Sequence, residues 1–294
     1  MKTCIQKFLQ ALGDADKQVL QQCLQHAKQA LPEDAMPWYL GNAHSPTGYL
    51  TPDHAKVILE LRKDWTPVPH GLLWDAPDQT PSSRSAALAQ LATELRDLGH
   101  VTGWRNEKFS FWPDSEILLN GQCIEPTDKL QPAFEMERAA YRFFGLRSHA
   151  VHVNGFTEDG FVWCGRRSLT KPTDPGMLDN IAAGGLPAGE SLQLCGVREM
   201  AEEAGLSEAL ALTAVASGQV TTCRSVARGW HHETLWVYNL LVPADVQPVN
   251  QDGEVAEFTL LSPQQVVQAI ASKSMTVDAS CVIAHAVLHS NATA

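Results

Sequence analysis

The chain has 294 residues, of which 44% are hydrophobic, and this is enough for the packed core of one large domain or two ordinary ones. Its formal net charge is −11, which argues against a general nucleic-acid binder because duplex binding requires a basic face. No apolar run approaches the roughly 18 to 20 residues that cross a bilayer, and no secretory signal is visible, so we expect a cytoplasmic protein without membrane or nucleic-acid partners.

Apolar spacing predicts helices in the first part of the chain. Two helical stripes fall within residues 1–30, with a break at 13–16. A third helix is predicted at 51–61, where Thr51 caps the helix and proline occupies the first helical position. The stretch 66–81 contains four prolines, which fix φ and remove donors, so it predicts a loop. A fourth helix is predicted at 88–98 and ends at Gly99.

The remaining sequence is rich in strand and turn signals. Asn120-Gly121 is a strong hairpin signal between short strands at 116–119 and 122–124. Further strands are predicted at 149–153, 161–165, 234–242 and 256–261, and a turn carrying Asn154-Gly155 and Asp159-Gly160 is expected between the first two. Ser262 has the pattern of a capping box and begins a closing helix. We predict an α+β domain of unknown role at 1–135 and a mixed α/β domain at 136–294.

The segment 184–206 combines glycines with an acidic helix. Ser191 is a good helix cap, residues 192–204 contain no proline, and Gly205 is a suitable terminator. Glu199, Glu202 and Glu203 are three or four positions apart, so their carboxylates share one side of this helix. Like charges at this spacing repel each other unless a cation neutralises them. Taken alone, the cluster also fits a solvated acidic face with an arginine partner.

Clustered carboxylates without histidine or cysteine favour a hard divalent cation. Oxygen ligands select magnesium, manganese or calcium over zinc. We expect Mg²⁺, with Mn²⁺ as the second candidate, because Mg²⁺ commonly bridges a few carboxylates to substrate phosphates. Gly184, Gly185 and Gly189 allow a tight loop to fold back over the helix, where a backbone carbonyl is a further ligand candidate.

The whole segment resembles the Nudix box. The box consists of glycine, five residues, glutamate, seven residues, Arg-Glu, an apolar residue, any residue, Glu-Glu, any residue, glycine and an apolar residue. The sequence fills its constrained positions with Gly184, Glu190, Arg198, Glu199, Met200, Glu202, Glu203, Gly205 and Leu206. The resemblance implies a Nudix α/β/α sandwich with a mixed sheet, and it implies hydrolysis of a diphosphate in a small organic molecule.

The resemblance also implies the metal ligands. Glu199, Glu202 and Glu203 match the metal-binding and catalytic glutamates of the family, and the carbonyl of Gly184 is a further ligand candidate. The metal would offset the charge that builds on the phosphoryl oxygens and would make water nucleophilic near neutral pH.

Further roles are expected outside the three ligand positions. One of the box glutamates, or a carboxylate on a later loop, is expected to deprotonate the attacking water, and we favour Glu254 over Glu257 as the later carboxylate. Glu190 and Arg198 match family positions that orient the loop and the catalytic glutamates. Their role, like that of Gly205, is therefore expected to be structural.

Cations outside the helix are candidates for substrate binding. Arg166, Arg167 and Lys171 stand just before the box and are suited to neutralise phosphates, although each alone fits an ordinary surface cation. Arg224 belongs to a second basic cluster with Arg228 and the pair at 231–232. Paired histidines without acidic or cysteine companions are more often structural than metal ligands.

Segments outside the box indicate a particular subgroup of the family. Residues 103–107, which include Trp104 and Arg105, and residues 141–155 resemble a Nudix subgroup related to the Nudix part of thiamine pyrophosphokinase fusion proteins. This resemblance covers about 35–287 and implies hydrolysis of thiamine diphosphate, especially its oxidised oxo and oxy forms, to the monophosphate. Trp104 and Arg105 are expected to reach the substrate or a dimer interface, with ordinary packing as the alternative, so a homodimer is left open.

Three other functions are weighed against this one. The first is Nudix hydrolysis of a nucleoside diphosphate derivative. The second is isomerisation of isopentenyl diphosphate, which needs a proton-donating cysteine such as Cys164 or Cys223. The third is a non-catalytic binding module, for which loss of box glutamates is the expected mark. The seven cysteines are odd in number and lack Cys-x-x-Cys spacing, so we expect them to be reduced.

Overall fold

The computed structural model of the protein describes residues 1–76, 80–119, 122–126 and 130–289. The helices in these ranges are α1 (Lys2–Gln10), α2 (Asp14–Gln25), α3 (Pro52–Leu61), α4 (Pro81–Asp97), α5 (Asp114–Ile117), α6 (Tyr141–Phe144), α7 (Leu192–Ala204), α8 (Glu208–Ala211), α9 (Pro263–Ala271) and α10 (Val277–Leu288). The strands are β1 (Met36–Leu40), β2 (Gly48–Leu50), β3 (Trp65–Val68), β4 (Gly71–Trp74), β5 (Lys108–Phe111), β6 (Leu118–Leu119), β7 (Gln122–Cys123), β8 (Phe134–Glu137), β9 (Arg147–Phe156), β10 (Val162–Arg167), β11 (Leu178–Asp179), β12 (Ala182–Gly185), β13 (Val215–Val226), β14 (Gly229–Leu241) and β15 (Val255–Leu261). The hairpin signal at Asn120-Gly121 lies outside the described residues.

A mixed sheet of seven strands forms the centre of the molecule. Its strand order is β11-β10-β9-β14-β13, with β12 paired to β9 and β15 paired to β10. The central pair β9 and β14 is parallel, whereas the other pairs of this sheet are antiparallel. One edge of β9 is shared, since β12 pairs with residues 150–153 and β10 pairs with residues 155–156. This split brings the glycine-rich strand β12 beside the middle of the sheet.

Helices cover both faces of the large sheet. On one face, α7 and α8 pack through Cys195, Met200 and Ala204 against apolar side chains of β9 and β14. On the opposite face, α9 and α10 pack against the sheet together with α1 and α2. The predicted α/β/α sandwich with a mixed sheet is therefore confirmed. Among the described helices, none combines the length and the apolar character that a bilayer span requires.

The first two helices belong to the core of this sandwich. Phe8 of α1 is fully buried, and its ring meets that of Phe156 edge-on, with 6.1 Å between centroids. Leu20 of α2 is fully buried in the same cluster. The division predicted after residue 135 falls inside β8, which pairs with β5. That division stays a prediction.

A smaller sheet with the order β2-β1-β4-β3 packs with α3 and α4. Its core contains three neighbouring indoles, Trp38, Trp65 and Trp74. The loop predicted at 66–81 is wrong over its first part, because β3 and β4 lie there. Pro67 is compatible with β3 because this strand is at the edge of the sheet, where a missing donor leaves no ladder bond unmade.

Most other predicted elements lie close to the observed ones. The helix predicted at 88–98 is longer, because α4 begins at Pro81, and residues 116–117 of the strand predicted at 116–119 belong to α5. One turn is misplaced. Asn154-Gly155 is inside β9 and not in a turn. The Asn154 side chain is fully buried, donates to Oδ1 of Asn239 at 2.9 Å and accepts from Nδ2 of Asn180 at 2.8 Å. These side-chain bonds satisfy the amide inside the sheet, so the residue types that usually mark a turn are accommodated in a strand.

Candidate functional site

Helix α7 has defined ends and packs closely on the sheet. The hydroxyl of Ser191 accepts from the N–H of Leu194, and Gly205 ends the helix in the left-handed conformation with φ of 63°. A Cβ at Gly196 would lie 3.2 Å from Cγ1 of Val151 on β9. The small residue therefore lets the helix approach the sheet, and this approach sets the position of the glutamates one turn later.

Strand β12 packs directly against the carboxylate of Glu199. A Cβ built on Gly184 would come within 2.0 Å of Cδ and Oε1 of Glu199. Only a residue without a side chain fits between the strand and this carboxylate. Burial raises the pKa of Glu199, while the neighbouring Arg198 acts in the opposite direction.

Glu203 is the most deeply buried of the three glutamates, with 7% of the residue exposed. Its Oε2 atom accepts from the backbone N–H of Ala183 on β12 at 2.9 Å. Burial raises the pKa of Glu203 to about 8, and the bond from Ala183 only partly offsets this. The carboxylate is therefore held in place and is short of compensating positive charge.

Arg198 contacts the acidic residues around it. Its guanidinium group makes two bonds to the carboxylate of Glu190, at 3.1 Å from Nε and 3.0 Å from Nη2. Its Nη1 atom lies 2.6 Å from Glu199 and 3.1 Å from Glu202. This arrangement is compatible with the orienting role expected for Glu190 and Arg198, which stays a prediction.

Lys171 supplies positive charge on the other side of the cluster. Its Nζ atom lies 3.7 Å from Oε1 of Glu203 and also contacts Oε2 of Glu254. The loop that follows β10 therefore meets the loop before β15 at the buried end of the acidic group. Glu257 lies elsewhere, because it is exposed and pairs with Arg166 at 2.7 Å.

A cavity of about 440 Å³ opens beside these groups. The predicted site residues that line it are Gly184, Glu199, Glu202, Glu254, Arg198, Arg105, Arg167, Lys171 and Arg224. Glu203 lies just behind this wall, where it contacts the lining residues Ala183 and Lys171. The structure thus brings the glutamates and most of the predicted cations to one cavity.

Two of the proposed substrate-binding residues lie away from the cavity wall. Trp104 donates from Nε1 to Oδ1 of Asn106 at 2.9 Å, and Arg96 stacks over its ring at 4.6 Å. Arg166 is turned toward Glu257 and the carbonyl of Gly176. Glu190 and Gly205 are also absent from the lining, and the structural role expected for them stays a prediction.

A buried ionic network closes another part of the wall. Arg224 makes two bonds to the carboxylate of Asp278, at 2.7 and 2.8 Å. Nε2 of His231 lies 3.4 Å from Asp278 and 3.3 Å from Glu233, whose other oxygen accepts from Ser148. Although burial opposes ionisation, His231 and Ser148 lower the pKa of Glu233 to about 2.

This network has a geometry that also suits a metal. One atom from each of His231, Glu233 and Asp278 lies within 4.8 Å of the others. Arg224 and Ser148 already bond to the two carboxylates, however, so the charges are balanced within the protein. We therefore interpret the network as a structural ionic cluster. His231 of the pair at 231–232 thus has two acidic companions, Glu233 two positions further on and Asp278, which is distant in sequence.

Arg142 and Arg228 also line the cavity. Arg142 lies on the short helix α6 and was not predicted, whereas Arg228 was noted only as a member of a basic cluster. No motif spacing marks Arg142, since it stands between aromatic residues that build the core. Its position at the wall depends on tertiary packing.

The donor set around Glu203 fits a hard divalent cation. The carboxylates of Glu199, Glu202, Glu203 and Glu254 are all oxygen ligands, which suit Mg²⁺ or Mn²⁺. Arg198 and Lys171 offset only part of their charge, and both are flexible side chains that a divalent cation can displace. The residues present therefore fit the metal that the sequence predicts.

The cysteines offer no support for an isomerase. Cys164 is fully buried, burial raises its pKa to about 12, and it does not line the cavity. Burial also raises the pKa of Cys223, which is outside the lining as well. All seven cysteines are free thiols, as predicted.

Known proteins resemble a large part of this chain. The family model described as NUDIX domain matches residues 145–281. Nudix hydrolase 24, chloroplastic, of Arabidopsis thaliana is 37% identical over 206 residues, covering 69% of this chain and 53% of that protein. Nudix hydrolase 20, chloroplastic, of the same plant is 39% identical over 202 residues, covering 67% of this chain and 50% of that protein. The chain thus spans about half the length of these curated relatives.

A solved structure gives a more distant match. It is a bifunctional NMN adenylyltransferase/ADP ribose pyrophosphatase of Francisella tularensis, complexed with AMP and Mn ion. The identity is 15%, the match covers 49% of this chain and 42% of that chain, and the TM-score is 0.40.

The cytoplasmic location expected from the sequence is contradicted by the plant relatives, because both are named as chloroplastic.

Proposed function

Because residues 145–281 of this chain belong to the NUDIX domain family, we propose that the protein hydrolyses the diphosphate of a small organic molecule with the help of a divalent metal. The proposed substrate is thiamine diphosphate or its oxidised oxo and oxy forms, which would give the monophosphate and phosphate. The NUDIX domain and the Nudix hydrolase relatives support a Nudix-type hydrolase.

The observation that carries the proposal is the position of three glutamates on α7. Glu199, Glu202 and Glu203 lie at or directly behind the wall of one cavity, beside Gly184. Burial raises the pKa of two of these carboxylates, so positive charge at this place would be strongly stabilising. We propose Mg²⁺ as that charge, held by the three glutamates and the carbonyl of Gly184, with Mn²⁺ as a substitute.

Each protein group has a proposed task in the reaction. The bound metal would offset charge on the phosphoryl oxygens and favour ionisation of water. Glu254, at the rim of the cavity, would accept the proton of the attacking water. Lys171 and Arg167 lie on the same wall and would attract the phosphates, while Arg198 and Glu190 keep Glu199 and Glu202 in position.

The thiamine assignment rests on the resemblance of residues 35–287 and on the size of the cavity. At about 440 Å³ the cavity is in the range of small-molecule sites. Several guanidinium groups stand at its wall, which favours a ligand with more than one negative charge. Of the other proposed contacts, Arg105 and Arg224 line the cavity and are candidates for holding the organic part, whereas Arg166 and Trp104 lie away from its wall.

The test is a panel of diphosphates with purified full-length protein and Mg²⁺. The panel contains thiamine diphosphate, its oxo and oxy forms, ADP-ribose and nucleoside diphosphates. We expect phosphate release from the thiamine compounds at the highest kcat/KM. In Glu203→Gln we expect a loss of kcat by orders of magnitude, because one charge is removed from the metal site.

The matched control is Glu208→Gln, which alters an exposed glutamate at the start of α8. This variant should keep wild-type turnover. Unchanged turnover in Glu203→Gln would contradict the metal site, whereas a preference for ADP-ribose or a nucleoside diphosphate would contradict the thiamine assignment alone.

A further inference from the structure

Two guanidinium groups at the cavity wall share one hydroxyl group. Nη1 of Arg142 and Nη2 of Arg228 each lie 3.4 Å from Oγ1 of Thr173. Arg228 also donates from Nη1 to the carbonyl of Thr102 at 3.3 Å. Within the described ranges, neither arginine forms an ion pair with a carboxylate. They differ in this respect from Arg167, Arg198 and Arg224.

Thr173 is held in place between these arginines by a third one. Arg167 donates from Nε and Nη2 to the carbonyl of Thr173, at 3.1 and 2.9 Å. The guanidinium of Arg167 is itself fixed by Asp179 at 2.7 Å. The hydroxyl of Thr173 and the two donors around it therefore have a fixed arrangement before any ligand arrives.

Among the described residues, no carboxylate is bonded to either of these two guanidinium groups. Burial lowers the pKa of Arg142, the neighbouring Arg228 lowers it further, and the more distant Glu233 and Asp278 only partly oppose this. Burial also lowers the pKa of Arg228, with Arg105 and Arg138 acting in the same direction. The whole chain carries a net charge of −11, so two adjacent arginines without a bonded carboxylate require a local reason. A bound anion would remove the repulsion.

We infer that Arg142, Arg228 and the hydroxyl of Thr173 form an anion subsite that takes the terminal phosphoryl group of the substrate. This inference rests on the proposed function, since it places the terminal phosphoryl group of a diphosphate at one part of the cavity and the proposed metal site at the neighbouring part. Guanidinium groups bind phosphate oxygens with two parallel hydrogen bonds, which a single hydroxyl cannot provide. A terminal phosphoryl group carries about −1.5 to −2 charges near pH 7, judging from phosphate monoesters. It therefore matches two arginines better than an internal phosphate with a single charge does.

The subsite lies close to the acidic group without overlapping it. Thr173 is two residues from Lys171, and two residues of extended chain span at most about 7 Å. Lys171 contacts Glu203 and Glu254, whereas Thr173 contacts Arg142 and Arg228. One loop therefore places the anion subsite next to the proposed metal site, as neighbouring phosphates require.

The experiment is a calorimetric titration of full-length protein with inorganic phosphate in the presence of a metal chelator. Wild type is expected to bind phosphate. Arg142→Gln and Arg228→Gln should each raise the dissociation constant for phosphate by about tenfold, because each loses one charge-assisted hydrogen bond. The matched control is Arg62→Gln, which removes an arginine that pairs with Glu94 outside the cavity. Thr173→Val removes only the shared hydroxyl and provides a further measurement if an arginine variant does not fold.

Phosphate binding that is equal in wild type and in both arginine variants would overturn the subsite, as would a wild type that binds no phosphate. The same titration with Glu203→Gln should give the wild-type constant. A protein that hydrolyses no diphosphate but loses phosphate binding with Arg228→Gln would contradict the proposed function and support the subsite.

A kinetic comparison tests which phosphate is bound. Arg228→Gln should raise KM for thiamine diphosphate by about tenfold and leave KM for ADP-ribose, which has no terminal phosphoryl group, unchanged. An equal rise of both KM values would contradict the assignment to the terminal phosphate.

Discussion

The carboxylate of Glu199 lies directly on the backbone of Gly184, so close that a Cβ on this glycine would be 2.0 Å from both Cδ and Oε1. Gly184 is at the centre of β12, which pairs with Val151 of β9. The strand is thus fixed on its other side by the sheet. Neither partner has room to move, because Arg198 also bonds Glu199 at 2.6 Å.

We expect Gly184→Ala to displace Glu199 and reduce kcat by at least about tenfold, which corresponds to roughly 1.4 kcal/mol of lost transition-state stabilisation. Circular dichroism should show an intact fold. The control Gly13→Ala adds a methyl group whose nearest neighbour, Oδ2 of Asp16, is at 3.7 Å, an ordinary contact. Equal activity of the two variants would show that the position of Glu199 is unimportant.

Replacement of Lys171 by methionine should make the protein more dependent on divalent cations. Nζ of Lys171 is the cation between Glu203 and Glu254, so its loss leaves their mutual repulsion uncompensated. Added Mg²⁺ should then raise Tm by about 2–4 °C more in Lys171→Met than in wild type, which corresponds to roughly 1 kcal/mol in a domain of this size. Thermal unfolding with and without Mg²⁺ measures this. The control Lys7→Met removes an exposed cation that pairs with Asp159, and it should show the wild-type gain.

The stability of the protein should fall in mild acid because of His149. Trp236 donates from Nε1 to Nδ1 of His149 at 3.3 Å, which requires an unprotonated acceptor. Burial lowers the pKa of His149 to about 3, whereas an unfolded histidine titrates near about 6.5. Between these values the unfolded chain binds a proton that the folded chain does not. The stabilising contribution is therefore complete above about pH 6.5 and is lost as the pH falls toward 3, by about 1.4 kcal/mol per pH unit.

Urea unfolding at several pH values from 7 to about 4.5 tests this sign. His149→Phe keeps an aromatic ring beside Trp236 but removes the titrating group, so its stability should fall less steeply with acid than that of wild type. The exposed His44→Phe should retain the wild-type slope. If the free energy of unfolding fell more steeply with acid in His149→Phe than in wild type, the predicted direction of the His149 effect would be wrong.

Truncation of Phe8 tests whether α1 is part of the sandwich core. Its ring is fully buried against Phe156, so Phe8→Ala should lower the free energy of unfolding by about 3–5 kcal/mol. Gln6→Ala changes an exposed position of the same helix and should cost less than about 0.5 kcal/mol. Similar urea midpoints for the two variants would exclude a stabilising role for α1.

The acidic helix of the candidate site was predictable because its signals are local. Ser191, Gly205 and the spacing of the glutamates lie within one short segment, and each has a direct physical meaning. Arg142 gave no such signal, because its place at the cavity follows from the packing of α6 against β14. The shared ionic partner of Arg224 and His231 was equally hidden, since Asp278 is more than 40 residues away in sequence.

The same distinction applies to the fold. Helix α3 was predicted close to both of its observed ends, and the start of α9 was predicted from its capping box, because caps are local signals. Helix α10 was missed because it is apolar on nearly all sides and therefore has no polar stripe to reveal its period. Strand β3 was missed because prolines were interpreted without knowledge that this strand is at an edge.

The packing of α1 and α2 against α10 also determines when this part of the core can form during synthesis. The Sγ atom of Cys281 reaches the carbonyl of Cys23 across 258 positions of the chain. At roughly 5–20 residues per second, a ribosome needs on the order of 10 to 50 s to make that length. Throughout this interval the side of the first two helices that packs on α10 has no partner, so it is a part of the nascent chain that a chaperone would be expected to hold.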